Sequence, residues 1–153
     1  MSAQEENTTF QLDAGEVHWK MHFRSSPAKV HQAIATDEGR ATYWAESAVE
    51  TDGAIHFVFP GGDACDGKII EKTPDTRFAT EYFGSTVVFE LTPDSQGRTD
   101  LQLSCSQIPE RDRMEVTAGW VSVLLAMKAA GDFNVDLRNH DPDRTWWHGY
   151  ADN

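Results

Sequence analysis

Apolar positions recur at three- and four-residue steps along one long stretch of the chain, and at every second residue along several shorter ones. The long stretch runs from Pro109 to Ala130, with Met114, Val116, Trp120, Val123, Leu124 and Met127 on one side. That spacing is one face of a helix. Pro109 suits its start, because the missing N–H would have no intrahelical partner there. Glu110, Asp112 and Glu115 place negative charge near the positive end of the helix dipole, Lys128 complements the other end, and Gly131 can stop it. Such a helix is roughly 30 Å long and needs a large apolar partner.

The two-residue period supplies that partner. Val17, Trp19, Met21 and Phe23 alternate with His18, Lys20 and His22, which predicts a half-buried strand. Ser26-Pro27 is an N-cap followed by a first-turn proline, and Val30, Ala33 and Ile34 form the apolar edge of a short helix. Thr36-Asp37-Glu38 caps a second short helix that carries Tyr43 and Trp44. Strands are then expected at Glu46–Thr51, Ala54–Phe59, Cys65–Lys72, Phe78–Phe83, Thr86–Leu91 and Asp100–Ser106. Asp52-Gly53 is a strong hairpin signal. Pro60 to Asp63, Thr73-Pro74-Asp75, Gly84-Ser85 and Pro93 to Gly97 separate the rest. Gaps this short make hairpins, hence an antiparallel sheet. An apolar sheet face must be covered, and the long helix is the element large enough to cover it. The expected fold is therefore α+β: a curved antiparallel sheet of about six or seven strands around one long C-terminal helix, with two short helices after the first strand.

Composition narrows this picture. The 153 residues suffice for one domain with a sizeable core. Residues 1–15 are mostly polar and read as a flexible tail; residues 16–153 read as one domain with an aromatic extension from about residue 132. The formal net charge of -12 argues against nucleic acid and anionic membranes as partners. No run of about eighteen apolar residues marks a membrane span. Met1 to Asn7 lacks an apolar signal core, and Cys65 and Cys105 are too few for a disulfide framework. The expected setting is the cytoplasm, with both thiols reduced.

Particular residues then point to a family. Residues 25–39, Ser-Ser-Pro-Ala-Lys-Val-His-Gln-Ala-Ile-Ala-Thr-Asp-Glu-Gly, with Trp44, then Gly119-Trp120 followed by Leu124, Met127 and Lys128, resemble the START-like, birch-pollen-allergen-related (SRPBCC) superfamily. Within it the chain resembles the branch named after the activator of heat shock protein 90 ATPase. Asp136-Leu137-Arg138-Asn139-His140-Asp141-Pro142 is similar to bacterial members of that branch. The resemblance covers about residues 16 to 150 and implies a helix-grip fold with a gap between sheet and helix. It implies binding of a small hydrophobic molecule, with a cyclase-like enzyme or a chaperone-associated interaction domain as alternatives. It carries no catalytic signature.

The candidate ligand-binding residues are the aromatic and apolar positions on the two facing elements. From the short helices and strands these are Trp44, Phe57, Phe59, Ile69, Phe78, Phe83, Phe89 and Leu103; from the long helix, Trp120, Leu124 and Met127. Aromatics and methionines at these periods also serve as plain core. No cofactor motif is present. His18 and His22 stand about 13 Å apart on a strand, too far to share an ion, and no metal-ligand spacing occurs elsewhere. Glu81, Glu90 and Arg77 lie within strands; either carboxylate would be a candidate base or polar anchor if it pointed inward. Asp141-Pro142-Asp143 reads as the start of a short helix carrying Trp146, Trp147 and Tyr150. These rings either pack back on the domain or form a homodimer contact. Arg138 is expected to pair with Asp136 or Asp141.

Overall fold

The computed structural model describes residues 15–153; the predicted flexible tail therefore lies, but for Gly15, outside the described residues. Strand β1 (Val17–Phe23) is followed by helices α1 (Pro27–Ala35) and α2 (Asp37–Ala41). Six strands come next: β2 (Ser47–Thr51), β3 (Ala54–Val58), β4 (Ala64–Thr73), β5 (Arg77–Tyr82), β6 (Ser85–Pro93) and β7 (Thr99–Ser106). A single turn of tight helix at Glu110–Asp112 leads into α3 (Arg113–Phe133). All seven strands form one antiparallel sheet in the order β1-β7-β6-β5-β4-β3-β2, wrapped around α3. This is the α+β arrangement expected from the two periodicities.

Local chemistry explains the elements. The Ser26 hydroxyl accepts from the Lys29 N–H, and Thr36 does the same for Gly39, so each short helix has its predicted cap. Asp52 and Gly53 both have positive φ (51° and 82°), the twist that a two-residue hairpin demands. The β5–β6 hairpin, expected at Gly84-Ser85, turns one residue earlier, on Phe83-Gly84, with Tyr82 opposite Ser85. Phe83 is thereby held at φ 48°, a left-handed conformation that suits glycine or asparagine far better than a bulky ring.

The long helix departs from expectation at both ends. Met114, assigned to its apolar face, is 85% exposed, although the same first turns touch β1, where the Trp19 indole donates to the Thr117 carbonyl. The helix also runs past Gly131 and ends at Asn134, whose left-handed backbone (φ 55°) forms the cap. The Asp132 carboxylate, two residues earlier, accepts from the Arg24 and Ser25 N–H groups, the Ser25 hydroxyl and the Lys128 ammonium. Burial alone would raise its pKa, but these donors hold it below the usual carboxylate range. They tie the end of α3 to the β1–α1 connection.

Two glycines make opposite predictions. A Cβ on Gly67 would lie 1.9 Å from the Glu81 carbonyl oxygen across the β4–β5 pair. Gly67→Ala should destabilise the protein by about 1–3 kcal/mol, as expected where backbone must move to make room. Gly131, inside α3, would meet nothing within 4 Å. Gly131→Ala should stabilise by about 0.5–1 kcal/mol through helix propensity. Urea denaturation of both variants checks the pair.

Candidate functional site

Trp44, on the turn that follows α2, sits at the centre of the space between sheet and helix. Its ring centroid lies 4.8 Å from Phe57, 5.3 Å from Tyr82, 5.6 Å from Phe89 and 5.9 Å from Trp120. Most of these contacts are tilted or edge-to-face, the geometries that the ring quadrupoles favour. Phe78, Leu103, Leu124 and Met127 are also buried; Ile69 is half-buried against the same cluster. The interior is thus built largely from the residues singled out in the sequence. In this structure their rings fill it.

Two positions differ from that expectation. Phe83 lies in the turn rather than on the inner face and is 54% exposed. Its ring stands 5.7 Å from Phe59 and 4.9 Å from Tyr82, so Phe57, Phe59 and Phe83 form a run of rings from the centre to the surface. Tyr82 is absent from the sequence-based set, although the two-residue step from Phe78 through Thr80 places it inward. Burial raises the pKa of its hydroxyl far above the ordinary phenol value, against a smaller pull from Trp44. Glu81 and Glu90 both face solvent, and Glu90 pairs with Arg77 at 3.1 Å. Neither is placed to act as a base in the interior.

The polar atoms of this interior are few and neutral. Burial pushes the Cys105 thiol up, opposed by the Trp120 indole and the Ser85 hydroxyl. Cys65 is raised for the same reason, against a pull from the Phe83 backbone N–H. Two buried polar atoms among the described residues, the Trp44 Nε1 and the Tyr43 hydroxyl, have no partner with hydrogen-bond geometry. The Tyr82 oxygen is near enough to Trp44 to feel its N–H, but not aligned to accept it.

One end of the interior is closed by the segment after α3. Trp146 Nε1 donates to Glu115 (3.2 Å), its ring reaches over Gly119, and Trp147 Nε1 donates to Asp63. The Ser122 hydroxyl donates to the Ala151 carbonyl. The segment therefore bridges α3 and the β3–β4 connection. A single tight turn at Trp146–His148 replaces the helix expected from Asp141; the Asp141 carboxylate accepts from the Asp143 N–H and from Arg144, but no helix follows it. Of the tail rings, Trp146 packs back on the domain, whereas Trp147 is 69% exposed.

The near end of this strap is latched by charge. Arg138 pairs with Asp136, as one of its two expected partners, and also donates to the Ala41 and Ala45 carbonyls. His140 lies between two carboxylates, with Nδ1 2.5 Å from Glu46 and Nε2 2.6 Å from Asp136. Both nitrogens can donate only in the imidazolium form. Asp136 and then Glu46 raise the His140 pKa, against burial and Arg138. Arg138 and His140 in turn outweigh burial and hold Asp136 well below the usual carboxylate range. Because the folded-state pKa of His140 is raised, its stabilisation is complete below the unfolded value of about 6.5 and is lost as pH rises through the folded value. The strap should resist proteolysis better at about pH 6 than at about pH 8.5, and His140→Gln should flatten that difference.

A separate recess lies elsewhere. It is an open groove of about 630 Å³ between Trp19 of β1 and the first turns of α3, with Met114, Thr117 and Val121 in its wall. A small gap of about 40 Å³ sits beside Phe23 and Met127. No cluster of three metal-ligating side chains occurs among the described residues, and no described helix is long and apolar enough to cross a membrane.

Comparison of the whole fold with solved structures is decisive for architecture. Protein SSP2350 of Staphylococcus saprophyticus superposes with a TM-score of 0.70 at 15% identity, covering 80% of this chain and 96% of its own. The Aha1 dimer of Colwellia psychrerythraea, Aha1 being the activator of the heat shock protein 90 ATPase, gives 0.69 at 21% identity, covering 77% and 96%. This is the START-like helix-grip fold. DynU16, from the dynemicin biosynthetic locus, shares it too, with a TM-score of 0.67 at 17% identity; the match covers 77% of this chain but 47% of that one. No family model and no curated protein matches the sequence. The START-like likeness therefore rests on shape and on the packing residues already named.

Proposed function

We propose that this protein binds a small hydrophobic or amphipathic molecule between the sheet and α3, without transforming it. The observation that carries this reading is the aromatic interior centred on Trp44. Rings in tilted contact, with a run of them leading outward to Phe83, can be parted by a flat apolar guest and close again around it. The strap over one end is held by hydrogen bonds and ion pairs as well as packing, so it can lift without taking the core apart. The outward positions of Glu81 and Glu90 favour binding over proton-transfer catalysis. Cys65 and Cys105 are both free, and two unpaired thiols suit a reducing compartment such as the cytoplasm.

Native mass spectrometry of protein purified from its own source, followed by organic extraction, tests the proposal. The expected result is a reproducible co-purifying small molecule, released by solvent. A chain that arrives empty and takes up no neutral apolar probe would contradict it.

A second reading concerns assembly. Trp147, Val135 and Leu137 remain exposed on the strap, which supports a homodimer contact there. The fold neighbour from Colwellia is itself described as a dimer.

A further inference from the structure

We infer that the indole N–H of Trp44 is the polar anchor of the interior, and that the molecule it takes is neutral, largely aromatic or alicyclic, and carries a hydrogen-bond acceptor such as a carbonyl oxygen. This inference rests on the proposed binding function and adds the chemical class of the guest.

Three observations lead to it. Trp44 is 3% exposed, and its Nε1 is sealed from solvent without an aligned acceptor. Indole N–H is a donor only, so the partner it lacks must be an acceptor. A buried donor left unpaired is a cost that folding does not normally tolerate, and one that persists commonly serves a ligand or an ordered water. Second, the rings around it (Phe57, Tyr82, Phe89 and Trp120) offer flat apolar faces on several sides. A guest that reaches the N–H must therefore present mostly apolar surface. Third, no ionised side chain faces this space. The fully buried guanidinium of Arg40 is spent on the Ala48 and Ile34 carbonyls and on Asp37, the buried Asp132 carboxylate is taken up by its donors at the end of α3, and the nearby thiols and phenol are neutral. An ionic headgroup would be desolvated there without a counter-charge.

Tyr82 completes the anchor. Its hydroxyl lies beside the Trp44 N–H and can rotate to donate to the same oxygen, giving a carbonyl a donor for each lone pair. The ring itself is one that the guest would stack against, 5.5 Å from Trp120 and 5.1 Å from Phe57.

The test uses two probes of nearly equal shape, acetylnaphthalene and ethylnaphthalene, which differ by a carbonyl in place of a methylene. The affinity of each is measured on the intact protein and on Trp44→Phe, which keeps an aromatic ring and removes the donor. In parallel, the indole N–H resonances of the protein's five tryptophans are followed by nuclear magnetic resonance. Trp44 is assigned by its absence from the variant, or, should that variant not fold, by elimination using Phe replacements at the other four positions. The ketone should bind about tenfold more tightly relative to the hydrocarbon in the parent than in Trp44→Phe, and it alone should move the Trp44 resonance downfield. Equal relative affinities with an unmoved Trp44 resonance would overturn the anchor while leaving interior binding intact. Failure of both probes to bind would overturn the anchor and the proposed function together.

Discussion

Replacing Arg40 by methionine should destabilise the protein by about 3–5 kcal/mol, although the substitution keeps most of the side chain's length and apolar stem. Arg40 is fully buried in a five-residue helix. Its Nε and Nη2 both donate to the Ala48 carbonyl (3.0 and 2.9 Å), Nη1 to the Ile34 carbonyl (3.0 Å), and Nη2 also to Asp37 (2.6 Å). Methionine would leave two buried carbonyls and one carboxylate without these donors. Asp37 also accepts from the Glu50 N–H, so the loss would spread to β2. Arg40→Lys should recover only part of the stability, since one ammonium cannot reproduce a planar fork that reaches acceptors on several sides. Urea denaturation midpoints for the two variants give the comparison; a methionine variant within about 1 kcal/mol of the parent would show that the network is not what holds α2 to β2.

Trp120→Ala should cost a similar amount, about 3–5 kcal/mol, for a different reason. Trp120 is the residue through which α3 touches the aromatic centre: its ring stands 5.5 Å from Tyr82, 5.9 Å from Trp44 and 6.2 Å from Phe89. Truncation removes one wall of the interior and leaves a hole that the stiff sheet cannot close. The control lies on the same helix. Leu125 is 49% exposed, and Leu125→Ala should change stability by no more than about 0.5 kcal/mol. Thermal unfolding of the two variants separates the buried face of α3 from its outer face. Comparable losses in both would mean that the outer face is also covered, as in a homodimer.

The parts of this fold that are legible in the sequence are those with a local cause. Period two places β1 to β7 to within about two residues, Asp52-Gly53 fixes one hairpin, and Ser26 and Thr36 announce two caps. The aromatic centre is legible in part for the same reason, since Phe57, Phe89 and Trp120 fall on the inner side of well-marked elements; Trp44, expected on the second short helix, lies on the turn just after it. What stays hidden depends on contacts between distant residues. Nothing local shows that Arg40 is swallowed, because its acceptors are backbone carbonyls of Ala48 and Ile34. The pairing of His140 with Asp136 is four residues long, but that with Glu46 spans 94 positions and follows only from the path of the strap. Phe83 is misplaced by periodicity because its turn uses a bulky residue where propensity asks for a small one. That strained ring ends up at the outer end of the aromatic run, where a guest would first meet it. Met114 is misplaced because periodicity marks a helix face but not which of its turns are covered.

The proposed guest would lie between the sheet and α3. The most direct measurement is nuclear Overhauser spectroscopy on the complex with the neutral fluorophore N-phenyl-naphthylamine, filtered to show only contacts between probe and protein. The expected contacts run from the probe to the ring protons of Phe57, Phe89 and Trp120, with the strap residue Trp146 shifted as it is displaced. Contacts instead to Met114, Thr117 and Val121 would put the guest in the outer groove beside Trp19 and would contradict the account.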